Sequence, residues 1–163
     1  MMGAEQKPKM IETQMQELSP VISELLRAGG RVRITVTGNS MFPMLRDRKD
    51  SVVLAAPDKV GRFDLPLYRR DGGQFVLHRV MRVKKGVYSM CGDNQTALET
   101  PIREDQLLAV AVEFCRDGRT ISCKNPLYRL YAALWGILRP WRPGIMRAYL
   151  AFRRKWSKRR GNR

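Results

Sequence analysis

Cysteine is scarce in this chain, and long hydrophobic runs are missing. The three cysteines, Cys91, Cys115 and Cys123, are too few and too irregularly spaced for a disulfide framework or a metal site, so we expect reduced thiols and no metal. The longest uncharged apolar run near the C-terminus, Leu130–Leu138, is far shorter than the ~20 residues that a membrane-spanning helix needs. The N-terminal residues contain no apolar segment of the signal-peptide kind. We therefore expect a cytoplasmic protein, or one peripheral to a membrane, with no signal peptide and no transmembrane helix.

Acidic residues are nearly missing from the C-terminal part of the chain. Residues 116–163 carry 14 Lys and Arg against one Asp, a net +13, whereas residues 1–115 carry 17 against 14, a net +3. The charge of the whole chain, +16, is therefore concentrated in the C-terminal segment. A basic segment of this kind predicts an anionic partner, either a lipid surface or a nucleic acid.

The hydrophobic pattern divides the 163 residues into three segments. Residues 1–29 predict an N-terminal helical segment, since apolar residues recur at helical spacing over Met10–Ala28 and Gly29-Gly30 can end the helix. Residues 30–123 predict a β domain, in which short apolar strands alternate with turn residues. Residues 124–163 predict basic amphipathic helices. The expected fold class is mainly β (α+β), with a coiled antiparallel β body and helices at both ends.

Seven strands are predicted in the β domain. Pro66 makes the third an edge or bulged strand, because proline cannot donate to a sheet ladder. The fourth carries Val76, His78 and Val80 on one face. The predicted strands are Arg31–Val36, Ser51–Ala56, Phe63–Arg70, Gln74–Val83, Val87–Met90, Gln106–Phe114 and Arg119–Cys123.

Ser40 lies where the first strand ends and a turn begins, in the stretch Thr37–Leu45. Gly38 lets the backbone turn without a side chain in the way, and Pro43 stiffens the exit from the turn. A serine mounted rigidly at a strand end can act as a nucleophile if a base and an oxyanion-binding amide are close by. Gly, Asn, Ser and Pro are also ordinary turn residues, so this stretch alone would indicate only a polar turn.

Three ordered motifs favour the nucleophile. Gly38–Leu45, followed by Lys49–Leu54, resembles the G-x-S-M-x-P-x-L…G-D-x-V-x-V box around the nucleophile of the signal peptidase I family, which belongs with the self-cleaving repressors to one superfamily. Val76–Val80 resembles the strand that bears the family's base, and Cys91–Gln95 resembles its G-D-N box. The chain is more similar to the Ser-His branch than to the Ser-Lys branch, because His78 stands where the latter has lysine. The resemblance covers about residues 30 to 115 and implies the β fold of that family.

The resemblance assigns catalytic roles to four side chains. Ser40 is the expected nucleophile and His78, the only histidine, the expected base. Glu99 is the first choice for the carboxylate that orients His78, since the Ser-His branch has the second of two aspartates there. Asp93, in the G-D-N box, is the second choice, and it could instead cap its own turn. A lone histidine between two valines could also be an ordinary core residue.

The oxyanion hole is expected at the backbone N–H of Ser40. The Ser-Lys branch often adds a hydroxyl two residues upstream, but this chain has Gly38 there. Asn39 or another backbone group is left as the second donor. Asp50 resembles the aspartate of the family's box, and we expect it to hold the turn in place rather than to touch substrate.

The C-terminal segment predicts two helices that suit the headgroup layer of an anionic membrane. Tryptophan near their apolar faces, at positions 135, 141 and 156, would add to such binding. A solvated charged face is the plainer alternative, and nucleic acid is the weakest, because no nucleic-acid module is evident. The first apolar face consists of Leu127, Leu130, Tyr131, Leu134 and Leu138, and the second, after a break at Arg139–Pro143, of Ile145, Tyr149, Phe152 and Trp156.

These features predict a serine endopeptidase of signal-peptidase type. It would cleave an extended segment of a peptide or precursor protein by a Ser-His mechanism, without a cofactor, at or near a membrane surface. The alternative is a catalytically silent module that binds peptide or membrane on the same β fold.

Overall fold

The computed structural model describes the backbone of residues 7–161 and the side chains of residues 15–154. In this part of the chain the fold is α+β, with antiparallel strands in a curled half-barrel and helices at both ends. The helices are α1 (Lys7–Arg27), α2 (Pro126–Ile137) and α3 (Arg142–Gly161). The strands are β1 (Val32–Thr35), β2 (Ser51–Ala55), β3 (Pro66–Arg69), β4 (Phe75–Leu77), β5 (Arg79–Lys84), β6 (Val87–Cys91), β7 (Glu99–Arg103), β8 (Leu107–Arg116) and β9 (Arg119–Ser122).

The strands form two sheets. In the first, the order is β1-β2-β8-β3-β4, and β9 pairs with the far end of β8. The second contains β5, β6 and β7 in that order. Strand β8 is ten residues long, which lets it pair with β2, β3 and β9 and makes it the spine of the first sheet. Strand β1, which leads to Ser40, lies at an edge of this sheet.

The strand predicted at Gln74–Val83 is two strands that meet at His78. Leu77 pairs with Leu67 in the first sheet, whereas Arg79 pairs with Cys91 in the second. The prediction of one strand was wrong because the alternation of apolar residues continues through the corner, although the two halves face different cores. The corner places His78 at the junction of the two sheets.

Strand β3 is not an edge strand, since it lies between β8 and β4. Pro66 is its first residue, a position at which proline is tolerated, and the ladder to β8 shifts register between Leu67 and Tyr68. The bulge alternative is therefore confirmed and the edge alternative is wrong. Strand β7, which begins at Glu99, was not predicted, because the polar sequence Glu-Thr-Pro-Ile-Arg carries no apolar alternation.

Ser19-Pro20 could restart a helix, since serine is a good N-cap and proline suits the first helical position, but helix α1 runs without interruption through Pro20. It ends as predicted: Gly29 has a φ of +80°, and the N–H groups of Gly29 and Gly30 bond to the carbonyls of Leu26 and Leu25 at 3.0 and 2.9 Å. This closes the last turn in the manner of a glycine C-cap. The buried Leu26 attaches the helix to the first sheet.

Two hydrophobic clusters form the interior. The larger lies under the first sheet and joins α1, the Ser40 turn, β2, β8 and α2. The smaller lies against the second sheet and includes Tyr68, Val80, Tyr88, Met90 and Ile102. Because the chain crosses from one cluster to the other between Leu77 and Val80, His78 is held between two packed regions.

Helix α2 is part of the folded body. Asn125 caps its first turn by accepting from the N–H groups of Leu127 and Tyr128 at 2.9 and 3.3 Å, and proline occupies the first helical position. Its inner face buries Tyr128, Ala132 and Trp135. Trp135 is therefore not available to a membrane, contrary to expectation, and the Trp156 side chain lies outside the described residues.

A short 3₁₀ turn at Arg139–Trp141 connects α2 to α3, in the predicted break. The beginning of α3 returns to the body, with Met146 buried and the ring of Tyr149 6.1 Å from that of Phe42 in the Ser40 turn. Among the described helices, none is both long enough and apolar enough to cross a bilayer.

Candidate active site

The turn that carries Ser40 is tied at both ends. The N–H of Val36 donates to the Asp50 carbonyl at 2.9 Å, which closes the turn where β1 leaves the sheet. Gly38 has a φ of +83°, and its N–H donates to a carboxylate oxygen of Asp47 at 2.8 Å. A side chain at this position would be strained whatever the space around it. Ser40 is thus mounted on a backbone with few ways to move.

Asp50 anchors the turn from below, as expected of a structural residue. Asp50 is fully buried, and its carboxylate accepts hydrogen bonds from three nitrogens of Arg46. These are the backbone N–H at 2.8 Å and two guanidinium nitrogens, the closer of which lies at 2.7 Å. Burial alone would raise the pKa of Asp50, but the hydrogen bonds from Arg46 outweigh it and hold that pKa below its usual value. On the other side, Arg116 donates to the carbonyls of Pro43 and Met44, both at 2.8 Å.

The two groups of Ser40 that a nucleophilic mechanism would need are its hydroxyl and its backbone N–H. Within the described chain, neither its hydroxyl nor its backbone N–H makes a hydrogen bond, whereas its carbonyl accepts from the N–H of Asn94 at 2.8 Å. Ser40 is half-buried, and Asn39 beside it is exposed. Of the predicted oxyanion donors, the Ser40 N–H is therefore unpaired within residues 7–161, and Asn39 is exposed.

Gly92 packs directly against the Ser40 turn. A Cβ on Gly92 would lie 2.6 Å from the Ser40 carbonyl oxygen, a separation that real Cβ atoms do not show. Cys91, the residue before Gly92, is the partner of Arg79, the residue after His78, across β6 and β5. The Ser40 turn therefore packs on the end of β6, next to the strand that begins one residue after His78.

No direct hydrogen bond joins Ser40 to His78 among the described residues, where the imidazole instead contacts Tyr68 and Glu99. Without substrate, catalytic hydrogen bonds are often long and tighten only in the complex. The Nε2 atom of His78 has no hydrogen-bond partner in residues 15–154. It is also not fully buried, because Tyr131 Oη is the one side-chain polar atom of these residues that is both fully buried and without a partner. The imidazole, only 2% exposed, thus retains one nitrogen that is open to a small contact.

Glu99 is the carboxylate closest to His78. Its Oε2 lies 3.8 Å from Nδ1 of His78 and accepts the Tyr68 hydroxyl at 2.8 Å, while that hydroxyl lies 3.2 Å from the same Nδ1. Arg70 holds Glu99 with two hydrogen bonds of 2.7 Å. The first choice for the orienting acid therefore lies beside the predicted base, with a tyrosine between them.

Burial lowers the pKa of His78 to about 4, against the opposing pull of the Glu99 carboxylate. Hydrogen bonds from Arg70 hold the pKa of Glu99 below its usual value despite partial burial. At neutral pH the imidazole is therefore neutral and the carboxylate ionised, so their contact is polar and not an ion pair. Neutral imidazole is the form that can accept a proton.

Asp93 is engaged elsewhere. Its carboxylate binds the buried Arg79 through two hydrogen bonds of 2.8 and 2.6 Å, and Arg142 lies at 4.0 Å. Its carbonyl accepts the indole N–H of Trp135 at 2.9 Å. In the described chain Asp93 makes no hydrogen bond or ion pair with His78. The structure thus places Glu99 beside His78 and holds Asp93 in a buried ion pair with Arg79.

Three residues of this region were missed by the sequence interpretation. Tyr68 and Arg70 alternate on one strand, a spacing that puts both side chains on one face, but nothing in the sequence pairs that face with His78. Arg79 lies next to His78 in the motif Val76–Val80, and the sequence interpretation only placed it on the opposite face of the strand from His78. The one available signal in the sequence was the charge of Arg79 among apolar neighbours, which could have indicated a buried ion pair.

A surface cleft of about 730 Å³ adjoins Glu99. Its walls are the segment Asn94–Glu99, Arg70, and the beginning of α3 at Arg142, Pro143 and Met146. In the part of the chain with described side chains, no group of three or more His, Cys, Asp or Glu could hold a metal ion.

Comparison with family models, curated proteins and solved structures finds no match.

Proposed function

We propose that this chain is a serine endopeptidase of signal-peptidase type, which uses Ser40 as nucleophile and His78 as general base. The observation that supports the proposal is the position of His78, with Glu99 3.8 Å from its Nδ1, at the start of the strand that pairs with β6, while the Ser40 turn packs on the end of β6 at Gly92. A nucleophile, a base and an orienting carboxylate in that order make up the constellation that acyl transfer requires.

In the proposed reaction, the Ser40 oxygen attacks the carbonyl carbon of the scissile bond while its proton passes to Nε2 of His78. The oxyanion that forms is bound by the N–H of Ser40, which the fold leaves unpaired within the described chain. His78 returns the proton to the leaving amine as the carbon–nitrogen bond breaks. Water then attacks the acyl-serine and gives its proton to His78. The ester bond to Ser40 breaks, His78 returns the proton to the Ser40 oxygen, and the second product leaves as a carboxylic acid.

The substrate would be an extended peptide segment. Strand β1 lies at the edge of the first sheet and ends five residues before Ser40, so a peptide added beside it would pass the nucleophile. Addition of a strand uses main-chain hydrogen bonds for affinity and leaves side-chain pockets to set specificity. The cleft beside Glu99 would accommodate side chains on one side of the scissile bond.

Labelling by a serine-directed acylating probe tests the proposal. The purified chain should form one adduct, located at Ser40 by peptide mass, and Ser40→Ala and His78→Ala should both remove it. Ser89→Ala is the matched control, because Ser89 is likewise half-buried but lies on β6 and contacts Thr100. Labelling that persists in Ser40→Ala, or that His78→Ala leaves intact, would contradict the assignment.

A catalytically silent binding module remains the rival, and one observation favours it. His78 is 2% exposed and makes no hydrogen bond to Ser40 within residues 15–154, as a core histidine would. This rival predicts that no probe adduct depends on Ser40 while an extended peptide still binds.

We also propose that the outer face of α2 places the chain on an anionic membrane. Its apolar side chains recur every three or four residues and are exposed, from 51% at Leu134 to 76% at Leu127, and the series continues to Trp141 at 63%. The sequence of α3 is rich in basic residues, and each one near an anionic leaflet contributes ~1 kcal/mol. The outer face of α2 consists of Leu127, Leu130, Leu134 and Ile137, followed by Trp141.

Vesicle sedimentation tests this docking. Binding should require anionic lipid, weaken with salt, and fall when Leu130 and Leu134 are both replaced by Glu. Val83→Glu is the control, because Val83 is an exposed apolar side chain, 41% accessible, on β5. Equal binding to neutral and anionic vesicles would contradict the proposal. Self-association of the chain without lipid, lost in the double variant, would assign the face to a second copy instead.

A further inference from the structure

The hydroxyl of Tyr68 lies between the base and the carboxylate of the proposed site. It is 2.8 Å from Oε2 of Glu99 and 3.2 Å from Nδ1 of His78, and Tyr68 is fully buried. Glu99 itself is 3.8 Å from the same nitrogen, which is beyond hydrogen-bond distance. The imidazole therefore reaches the carboxylate through a phenol rather than directly.

The positions of the protons in this chain of contacts follow from the number of donors. A phenol has one proton, and the shorter contact is the one to Glu99, which is ionised and can only accept. If the phenol donates to Glu99, its oxygen can only accept from His78. A hydrogen bond at 3.2 Å then requires that Nδ1 of His78 carry the hydrogen. The neutral imidazole has a single N–H, so Nε2 is left as the acceptor.

We propose that Tyr68 is a positioning residue that fixes the Nδ1–H tautomer of His78 and connects the imidazole to Glu99, which Arg70 holds in place. This inference rests on the proposed function for its consequence, since an unprotonated Nε2 is what a general base presents to a serine. The arrangement differs from a direct histidine–carboxylate pair by one inserted hydroxyl.

The groups that act on His78 come from every element packed against it. Tyr68 and Arg70 belong to β3 and the residue after it, Glu99 begins β7, and the charge of Asp93 acts from the end of β6. Arg70 opposes protonation of the imidazole and Glu99 favours it. Arg70 binds both oxygens of Glu99 and thereby fixes the position of the carboxylate, 3.8 Å from Nδ1 of His78.

The single histidine makes the tautomer directly measurable. In uniformly ¹⁵N-labelled full-length chain, the ¹H–¹⁵N correlation spectrum of the imidazole at pH 7 contains one ring system, which must belong to His78. We expect the wild-type spectrum to show a protonated Nδ1 and an unprotonated Nε2. In Tyr68→Phe the Nδ1–H loses its acceptor, so the Nε2–H tautomer should gain population.

Tyr88→Phe is the matched control. Tyr88 belongs to the same hydrophobic cluster and is also buried, so its variant loses a hydroxyl there without removing one next to His78. Its imidazole spectrum should equal that of the wild type. With a cleavable peptide, Tyr68→Phe should lower kcat about tenfold with little change in KM, the size expected for one lost hydrogen bond, and Tyr88→Phe should change neither.

Three results would overturn the proposal: a wild-type imidazole protonated at Nε2, an unchanged tautomer in Tyr68→Phe, or equal effects of the two variants. The wild-type spectrum alone tests the proton assignment, so a variant that fails to fold does not remove the test. The spectrum needs no catalytic turnover. If the spectrum shows a fixed Nδ1–H tautomer but Ser40 forms no adduct, the peptidase is refuted and the Tyr68 contact stands. If Ser40 forms an adduct but the Nδ1–H tautomer is not fixed, the peptidase stands and the Tyr68 proposal is refuted.

Discussion

Acidification from pH 7 to pH 5 should destabilise the folded chain through one residue, His78. Burial lowers the pKa of His78 from its ordinary 6.5 to about 4. Between these two values the unfolded chain binds a proton that the folded chain does not, so stability rises with pH across this window and is lost as the pH falls. Below pH 4 both states bind the proton, and His78 adds no further dependence.

The size of the effect follows from the two pKa values. Integration of the proton-binding difference between pH 7 and pH 5 gives a loss of about 2 kcal/mol in the free energy of unfolding. No other side chain of this sequence has an ordinary pKa in that interval, because His78 is the only histidine and the cysteines titrate higher. Glu99 and Asp50, whose pKa values are lowered, contribute mainly below pH 5.

Urea unfolding at pH 7 and pH 5, followed by tryptophan fluorescence, measures this difference. His78→Asn is the control, because an amide can still donate to the Tyr68 hydroxyl but does not titrate. The wild type should lose about 2 kcal/mol and the variant far less than half of that. If the wild type were equally stable at both pH values, or if His78→Asn showed the same slope, the burial of a neutral imidazole would be refuted.

Two further predictions concern the framework behind the site. Gly92→Ala should lower the free energy of unfolding by about 2 kcal/mol and abolish labelling of Ser40, because the new Cβ would meet a backbone carbonyl at 2.6 Å. The control Gly72→Ala, with open space around it, should be nearly neutral. Equal urea midpoints for the two variants would contradict this prediction. Asp93→Ala should lower the free energy of unfolding by about 3–5 kcal/mol, because it leaves the fully buried Arg79 without its carboxylate partner. A loss below 1 kcal/mol in the same unfolding assay would contradict this and show that another group replaces the carboxylate.

Local sequence signals were sufficient for most of the strands. The hairpin between β8 and β9 follows from Asp117-Gly118, both of which have positive φ, of 50° and 75°, and the one between β5 and β6 follows from Lys85-Gly86 in the same way. Such turns need residues that tolerate the left-handed region, and few sequences supply them in pairs. The alternation of apolar residues then fixes which face of each strand is buried.

The corner at His78 could not be predicted from the sequence. Its two flanking strands continue one alternation, and only their partners differ, since Leu77 pairs with Leu67 and Arg79 with Cys91. Pairing across a sheet depends on residues far apart in the chain, and a local pattern carries no information about it. Strand β7 was missed for the same reason, because it is held by pairing with β6 rather than by its own apolar residues.

The charged residues of the site illustrate a second limit. Glu99, the first choice for the orienting carboxylate, lies 3.8 Å from His78, whereas the sequence kept Asp93 as a second choice. What separates them is that Asp93 pairs with Arg79 in a buried position, while Glu99 pairs with Arg70 at the rim of a cleft. Both carboxylates are bound on two oxygens by an arginine, but only Glu99 lies beside the imidazole, 3.8 Å from Nδ1 of His78. That distinction depends on burial and distance, which residue type and spacing do not report.

The C-terminal helices are structurally connected to the Ser40 site. Trp135 on α2 donates to the Asp93 carbonyl, and Arg142 at the start of α3, only 1% exposed, donates to the Gly92 carbonyl at 2.8 Å. Both contacts hold the Gly92-Asp93 segment, which packs against the Ser40 turn, so removal of residues 126–163 should disrupt the site. Because a helix is only ~10 Å across, docking of the outer face of α2 would hold the Gly92 segment, and Ser40 with it, close to the headgroup layer. A peptide emerging from that surface would then reach Ser40 before it reached bulk solvent.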